Sequence, residues 1–255
     1  MDNKRIQRIA FQVLIGFGAV LFMAVMLAKR FLYFQPSNEM YESAHPYENI
    51  THGHLHARFF KKEGADKVII YCHGNAGNIS TRDELIGVLL QTGCSVLAFD
   101  YSGYGLSKGI PTEQRCYDDA SVFVSLLRQT YKPNQIIMYG QSIGAPVAIY
   151  VARRFRLPYV IILSALPSIK SYIREKFSWI APVAFLFHEF DANYYAKNFP
   201  GKILMIHSSE DEMIPESITM DLQAAAHTYI PTTGGHNSTE IPIEKITEFI
   251  QNECE

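Results

Sequence analysis

Short, continuously apolar runs alternate along the chain with helix-length segments. Val68–Tyr71, Cys94–Phe99, Ile136–Tyr139, Tyr159–Leu163 and Ile203–Ile206 are dominated by apolar residues without polar alternation, the pattern of strands buried on both faces. Between them, Thr81–Gln91 opens with Thr81-x-x-Glu84, a capping-box signature, and reads as a helix. Thr112–Tyr131 places Val122, Leu126 and Leu127 near helical spacing, and Lys132-Pro133-Asn134 ends it. Strands alternating with helices predict an α/β fold built on a doubly wound, mostly parallel sheet. There is no internal repeat and no low-complexity segment.

Two stretches depart from this rhythm. Ile9–Ala28 contains no charged residue and one strongly polar one, Gln12. As a helix it spans about 30 Å, the thickness of a bilayer's hydrocarbon core. Lys4, Arg5 and Arg8 precede it and Lys29 and Arg30 follow, and Met26-Leu27-Ala28 makes a poor signal-cleavage site. The expectation is a retained transmembrane helix over residues 1–30, with a hydrolase-sized domain over 31–255. It implies a lipid bilayer as partner and a single-pass membrane protein, its N-terminus cytoplasmic and its catalytic domain on the other side. The second departure is Pro167–Pro200, where Tyr172, Phe177, Trp179, Phe185, Phe187, Phe190, Tyr194 and Tyr195 crowd a single crossover. It reads as a helix plus an aromatic-rich cap, with Trp179, Phe185 and Tyr104 as candidate substrate contacts.

Composition adds exclusions. Apolar residues are 48% and charged residues 19% of the 255, with a net charge of −2, which argues against disorder and gives nucleic acid no basic stripe to bind. Cys72, Cys94, Cys116 and Cys254 show no C-x-x-C spacing, and Cys72 and Cys94 read as buried strand thiols.

The strongest chemical signal is Gly140-Gln141-Ser142-Ile143-Gly144, between the strand Ile136–Tyr139 and the helix-like run Ala145–Val151. A serine on a sharp strand-to-helix turn projects its Oγ above the sheet, and the flanking glycines remove side chains that would clash there. The Ile143 N–H, at the helix N-terminus, is a candidate oxyanion donor. Serine needs a base, and in this architecture the acid and then the histidine follow the serine along the chain. His236 in Thr233-Gly234-Gly235-His236-Asn237 lies on a loop able to reach the sheet's edge. His207 closes a strand and His227 ends a helix, which suits structural roles; His188, in the cap, stays an alternative base. Asp211, after the strand Ile203–Ile206 and before Pro215, stands where the orienting carboxylate belongs; Glu210 and Glu212 are its neighbouring alternatives. The second oxyanion donor should follow Val68–Tyr71, in Cys72-His73-Gly74-Asn75-Ala76-Gly77-Asn78, with the Asn75 N–H as candidate.

These stretches occur in one order together with Asp100-Tyr101-Ser102-Gly103-Tyr104-Gly105-Leu106-Ser107 and Ile214-Pro215. From about Phe31 to Ile250 the chain resembles the membrane-anchored α/β-hydrolase-domain proteins, relatives of lysophospholipases, monoacylglycerol lipases and protein depalmitoylases. The resemblance implies a serine esterase or thioesterase that forms an acyl-enzyme on Ser142 and needs no cofactor. Ser102 stands where the family usually has arginine, and Ser208 where it usually has glycine. The competing class is a catalytically silent, membrane-tethered binding protein of the same fold. His52-Gly53-His54-Leu55-His56 looks like a metal tract on one strand face. It has no Cys or acidic partner nearby in sequence and matches the family's N-terminal hairpin strand, so no metal is expected.

Overall fold

The computed structural model describes the backbone of residues 3–179 and 189–254, and their side chains except those of residues 3, 6, 21–22 and 24–32. The chain divides into two units, 1–35 and 36–255.

The first unit is a helix, α1 (Asn3–Tyr33). Its described side chains from Ile9 to Val20 carry no charge and one amide, Gln12. Residues 21–22 and 24–28 of the expected span lie outside the described side chains. Among the described residues no helix is long and apolar enough to cross a membrane. That finding corrects the expected transmembrane anchor, and with it the bilayer partner, the single-pass localisation and the sidedness of the catalytic domain.

The second unit carries an eight-stranded sheet. Its strands are β1 (Glu48–His52), β2 (Leu55–Phe60), β3 (Val68–Cys72), β4 (Ser95–Phe99), β5 (Ile136–Gln141), β6 (Tyr159–Leu163), β7 (Lys202–Ser208) and β8 (Thr228–Thr232). They lie in the order β8-β7-β6-β5-β3-β4-β2-β1. β1 pairs antiparallel with β2 and β2 antiparallel with β4, while the other pairings are parallel. The sheet's helices are α2 (Asp83–Gln91), α3 (Glu113–Leu127), α4 (Gly144–Phe155), α5 (Ile169–Lys176), α6 (Ala192–Lys197), α7 (Met220–Ala225) and α8 (Ile243–Asn252).

Every residue of β3, β4 and β6 is buried, as continuous apolar runs require when helices cover both faces of the sheet. On one face Ile69, Tyr71, Val96, Ile137, Ile161 and Leu204 pack with Leu85, Ile86 and Leu89 of α2 and Ile246, Phe249 and Ile250 of α8. Alternate residues, Ile70, Leu97, Met138, Val160 and Met205, are buried on the opposite face, where α3 and α4 pack.

Local details differ from expectation. The capping residue before α2 is Asn78, which accepts from the Ser80 N–H and opens a single 3-10 turn (Ile79–Arg82); Thr81 is the partner of this box rather than its start. The His52–His56 tract is a hairpin turn rather than a strand face: His52 ends β1, Gly53 takes a positive φ, and β2 begins at Leu55. His56 bonds Asp100 and Asn49, while His54 bonds Ser102.

Ile137 is fully buried in β5, the strand that carries the elbow. Ile137→Ala should therefore lower unfolding free energy by about 2–5 kcal/mol, read as a fall in the urea midpoint with an unchanged slope.

Candidate active site

The end of β5 turns into α4 within three residues. Ser142 occupies this turn at φ 54°, a left-handed conformation that costs a non-glycine residue ~1–3 kcal/mol and is held by its surroundings. Glycine is needed on both sides. A Cβ on Gly140 would stand 2.5 Å from the Ala145 Cα, and one on Gly144 would overlap the Cys72 carbonyl oxygen. The Ser142 backbone is held by its N–H to the Leu163 carbonyl at 3.0 Å and by its own carbonyl accepting from Ala145 and Leu166.

Three loops bring partners to this serine. His236 Nε2 lies 3.0 Å from the Ser142 Oγ, and His236 Nδ1 lies 2.8 Å from the Asp211 Oδ2. The other Asp211 oxygen accepts from the Met213 N–H at 3.0 Å and the Ile214 N–H at 2.7 Å. Burial alone raises the Asp211 carboxyl, but hydrogen bonds from the His236 ring and the Ile214 N–H outweigh it and hold the group below its ordinary range. The carboxylate is thus ionised and can only accept, which places a proton on His236 Nδ1 and leaves Nε2 to accept from serine.

The loop after β3 lies directly over the elbow: a Cβ on Gly74 would come 3.6 Å from that of Ser142. Buried aromatics support it from below. Tyr101 donates to the His73 carbonyl at 3.2 Å and Tyr104 to the Asn75 carbonyl at 2.7 Å. His73 donates through Nδ1 to the Gly74 carbonyl, and burial pushes its pKa down to about 4, so the ring is neutral. Ile143 is the N-cap of α4, so its backbone N–H belongs to the open first turn of that helix.

The structure thus brings Ser142, His236, Asp211, Ile143 and the Asn75 loop to one edge of the sheet. The three expected substrate contacts stand differently from one another. Tyr104 is 1% exposed and supports the Asn75 loop from within. Trp179 is 80% exposed at the last described residue before the gap. Phe185, like His188, lies outside the described residues. Elsewhere in the segment, the Tyr195 and Phe190 rings pack against Tyr117 of α3, and Tyr195 also against Tyr150 of α4. These aromatics anchor the segment's exit to the helices.

The two carboxylates weighed as alternatives to Asp211 hold backbone instead of the His236 ring. Glu212 accepts the His236 N–H at 3.0 Å and Glu210 accepts the Gly234 N–H at 2.9 Å. They fasten the acid loop to the histidine loop. Ser208 reinforces them by donating to the Gly234 carbonyl and accepting the Glu210 N–H. The one hint in the sequence is the pair Gly234-Gly235, whose bare backbone leaves room for a carboxylate.

The serine aminopeptidase S33 family profile matches residues 63–196, a span that includes the Asn75 loop and Ser142 but ends before Asp211 and His236. Human alpha/beta hydrolase domain-containing protein 17B is 30% identical over 199 residues, covering 74% of this chain and 68% of the human protein. Alpha/beta hydrolase domain-containing protein 17C of Xenopus tropicalis is 30% identical over 200 residues, covering 74% of this chain and 63% of that protein. The chain therefore spans about two thirds of the length of these relatives. A Pyrococcus furiosus esterase superposes with a TM-score of 0.67 at 19% identity, over 87% of this chain and 98% of that one, a likeness of fold. More than half of the chain lies in the matched family span and the human relative reaches 30% identity: the chain belongs to the S33-type α/β-hydrolase family and is a serine hydrolase.

Proposed function

We propose that Ser142, His236 and Asp211 are the nucleophile, general base and orienting acid of this hydrolase, with the Ile143 and Asn75 N–H groups as oxyanion donors. The substrate is an acyl ester or thioester, in which an acyl chain is joined to a lipid alcohol or to a protein cysteine. The observation that carries this reading is the unbroken hydrogen-bonded line from Ser142 Oγ through His236 to Asp211, ending on two backbone donors.

Ser142 Oγ attacks the carbonyl carbon as its proton passes to His236 Nε2. The carbonyl π electrons move to oxygen, where backbone donors hold the negative charge. Asp211 remains ionised and stabilises the imidazolium. His236 then gives its proton to the leaving alcohol or thiol as that bond breaks, leaving an acyl-serine. Water attacks the acyl-serine, its proton going to His236 and then to Ser142 Oγ, which releases the acid. Substrate class is supported by the resemblance to lysophospholipases, monoacylglycerol lipases and depalmitoylases.

A fluorophosphonate probe should label the wild-type chain, and Ser142→Ala should remove the label and reduce hydrolysis of p-nitrophenyl acyl esters by at least ~10³-fold. An unlabelled, folded wild type would overturn the assignment.

Glu212 and Glu210 set where the histidine loop sits, and misplacement of a catalytic group by about an ångström costs up to ~10²-fold. Glu212→Ala should lower kcat by roughly ten- to a hundredfold with little change in KM, whereas Glu212→Gln, which keeps an acceptor oxygen, should retain most of the activity.

The Asp211 carboxyl is held low in the folded chain, so its stabilisation is present above its ordinary value near 4 and is lost as pH falls through the lower folded value. The difference in melting temperature between wild type and Asp211→Asn should be widest at neutral pH and close below pH ~4.

A further inference from the structure

Ser164, directly after β6, is fully buried and takes φ 45°. A left-handed backbone is free for glycine but disfavoured for a residue with a Cβ, and such strain persists only where the surroundings over-determine it. Here the Ser164 N–H donates to the Ile206 carbonyl of β7 at 3.0 Å, and the Ser164 hydroxyl lies 2.8 Å from that of Thr239. Thr239 has one hydroxyl proton, which faces the Gly235 carbonyl at 2.9 Å and the His236 carbonyl at 3.4 Å. At the Ser164 contact Thr239 therefore accepts and Ser164 donates.

The neighbours of Ser164 hold the proposed nucleophile. The Ser142 N–H donates to the Leu163 carbonyl at 3.0 Å, and the Ser142 carbonyl accepts from the Leu166 N–H at 3.1 Å. The Thr239 hydroxyl, in turn, holds the turn that carries the proposed base, which the Ser238 N–H closes on the Gly235 carbonyl. Residues 163–166 thus grip the backbone of Ser142 from both sides, and the hydroxyl between those grips reaches the turn of His236. Glu210 and Glu212 hold the same turn from the acid loop; Ser164 holds it from the nucleophile's side. A glycine at 164 would take the backbone without strain but would bring no hydroxyl.

Resting on the proposed triad, we infer that Ser164 and Thr239 are positioning residues that fix His236 against Ser142, and that the left-handed backbone of Ser164 is what aims its hydroxyl at the histidine turn. The full chain should be assayed on a p-nitrophenyl acyl ester, with melting temperature and the rate of fluorophosphonate labelling measured alongside. Ser164→Ala and Thr239→Val should each lower kcat about tenfold with KM within about twofold of wild type, since a catalytic group is displaced while substrate binding is not. The labelling rate should fall with kcat. Thr239→Ser, which keeps the hydroxyl, should retain most of the activity. The double variant Ser164→Ala/Thr239→Val should lose no more than Thr239→Val alone, because the two hydroxyls act through one bond. Ser164→Gly should melt no lower than Ser164→Ala, being free of strain, yet have no higher kcat.

A Ser164→Gly variant with the kcat of wild type would overturn the inference, because the hydroxyl would then be dispensable; this variant also decides the matter should Ser164→Ala fail to fold. A Thr239→Val variant that melts and turns over like wild type would overturn it too. So would a double variant whose loss is the product of the two single losses, or a loss that appears in KM rather than kcat. In each of these cases a wild type that takes the label, and a Ser142→Ala variant that does not, leave the triad standing. A folded wild type that takes no label would overturn the triad reading itself, and this inference with it.

Discussion

The close approach of α4 to the end of β3 is the constraint on which the site depends. Gly144 presses against the Cys72 carbonyl so tightly that even a methyl group would overlap it. This contact makes the chain leave β5 steeply, which is what forces Ser142 to a positive φ and lifts its Oγ above the sheet. It also carries the residues after Cys72 over the same spot, since β3 and β5 are paired in register from Val68–Ile136 to Cys72–Gly140. One close packing contact therefore places both the proposed nucleophile and the loop proposed to receive the oxyanion.

That loop needs its own support, and a buried carboxylate supplies it. Asp100 is fully buried at the end of β4, a costly place for a charge unless its oxygens are bonded. One oxygen accepts the Ile79 N–H at 2.9 Å, and the other lies 3.2 Å from His56 Nδ1. Gly105 folds so closely over the carboxylate that no side chain fits there. Asp100 thus joins the turn after the Asn75 loop to β2 and to the Gly103–Ser107 turn. Ser102 gives its N–H and hydroxyl to Asp119 of α3, tying the same turn to a helix.

What was legible in the sequence had strong local causes. Strands buried on both faces read as apolar runs because every residue in them is buried, and β3 and β6 appear almost at their observed bounds. Ser142, His236 and Asp211 could be picked out because each sits in a loop after a strand, in the order this architecture imposes. The roles of Glu210, Glu212 and Ser208 could not, because their bonds to Gly234 and His236 join loops 24 to 26 residues apart. Tyr104 misled because an aromatic beside a loop looks the same whether it faces substrate or the core. The N-terminal run misled because uncharged length suggests a span, whereas among the described residues no helix is long and apolar enough to cross a membrane.

Three buried or near-buried histidines differ in what their two ring nitrogens meet, and the difference supports His236 as the proposed base. His207 donates through Nε2 to the Ile214 carbonyl and leaves a buried Nδ1 without a partner, and burial lowers its pKa. It is a neutral ring that holds the acid loop by one bond. His56 has a carboxylate on Nδ1, as His236 does, but its Nε2 faces the Asn49 side chain rather than a hydroxyl. His236 alone has an ionised carboxylate on one nitrogen and the Ser142 hydroxyl on the other. A histidine–aspartate pair is therefore not enough by itself, since the same pairing at Asp100 serves only structure. The difference lies in what the second nitrogen meets, and at His236 that is decided by the elbow, whose geometry follows from a glycine packed against the end of β3.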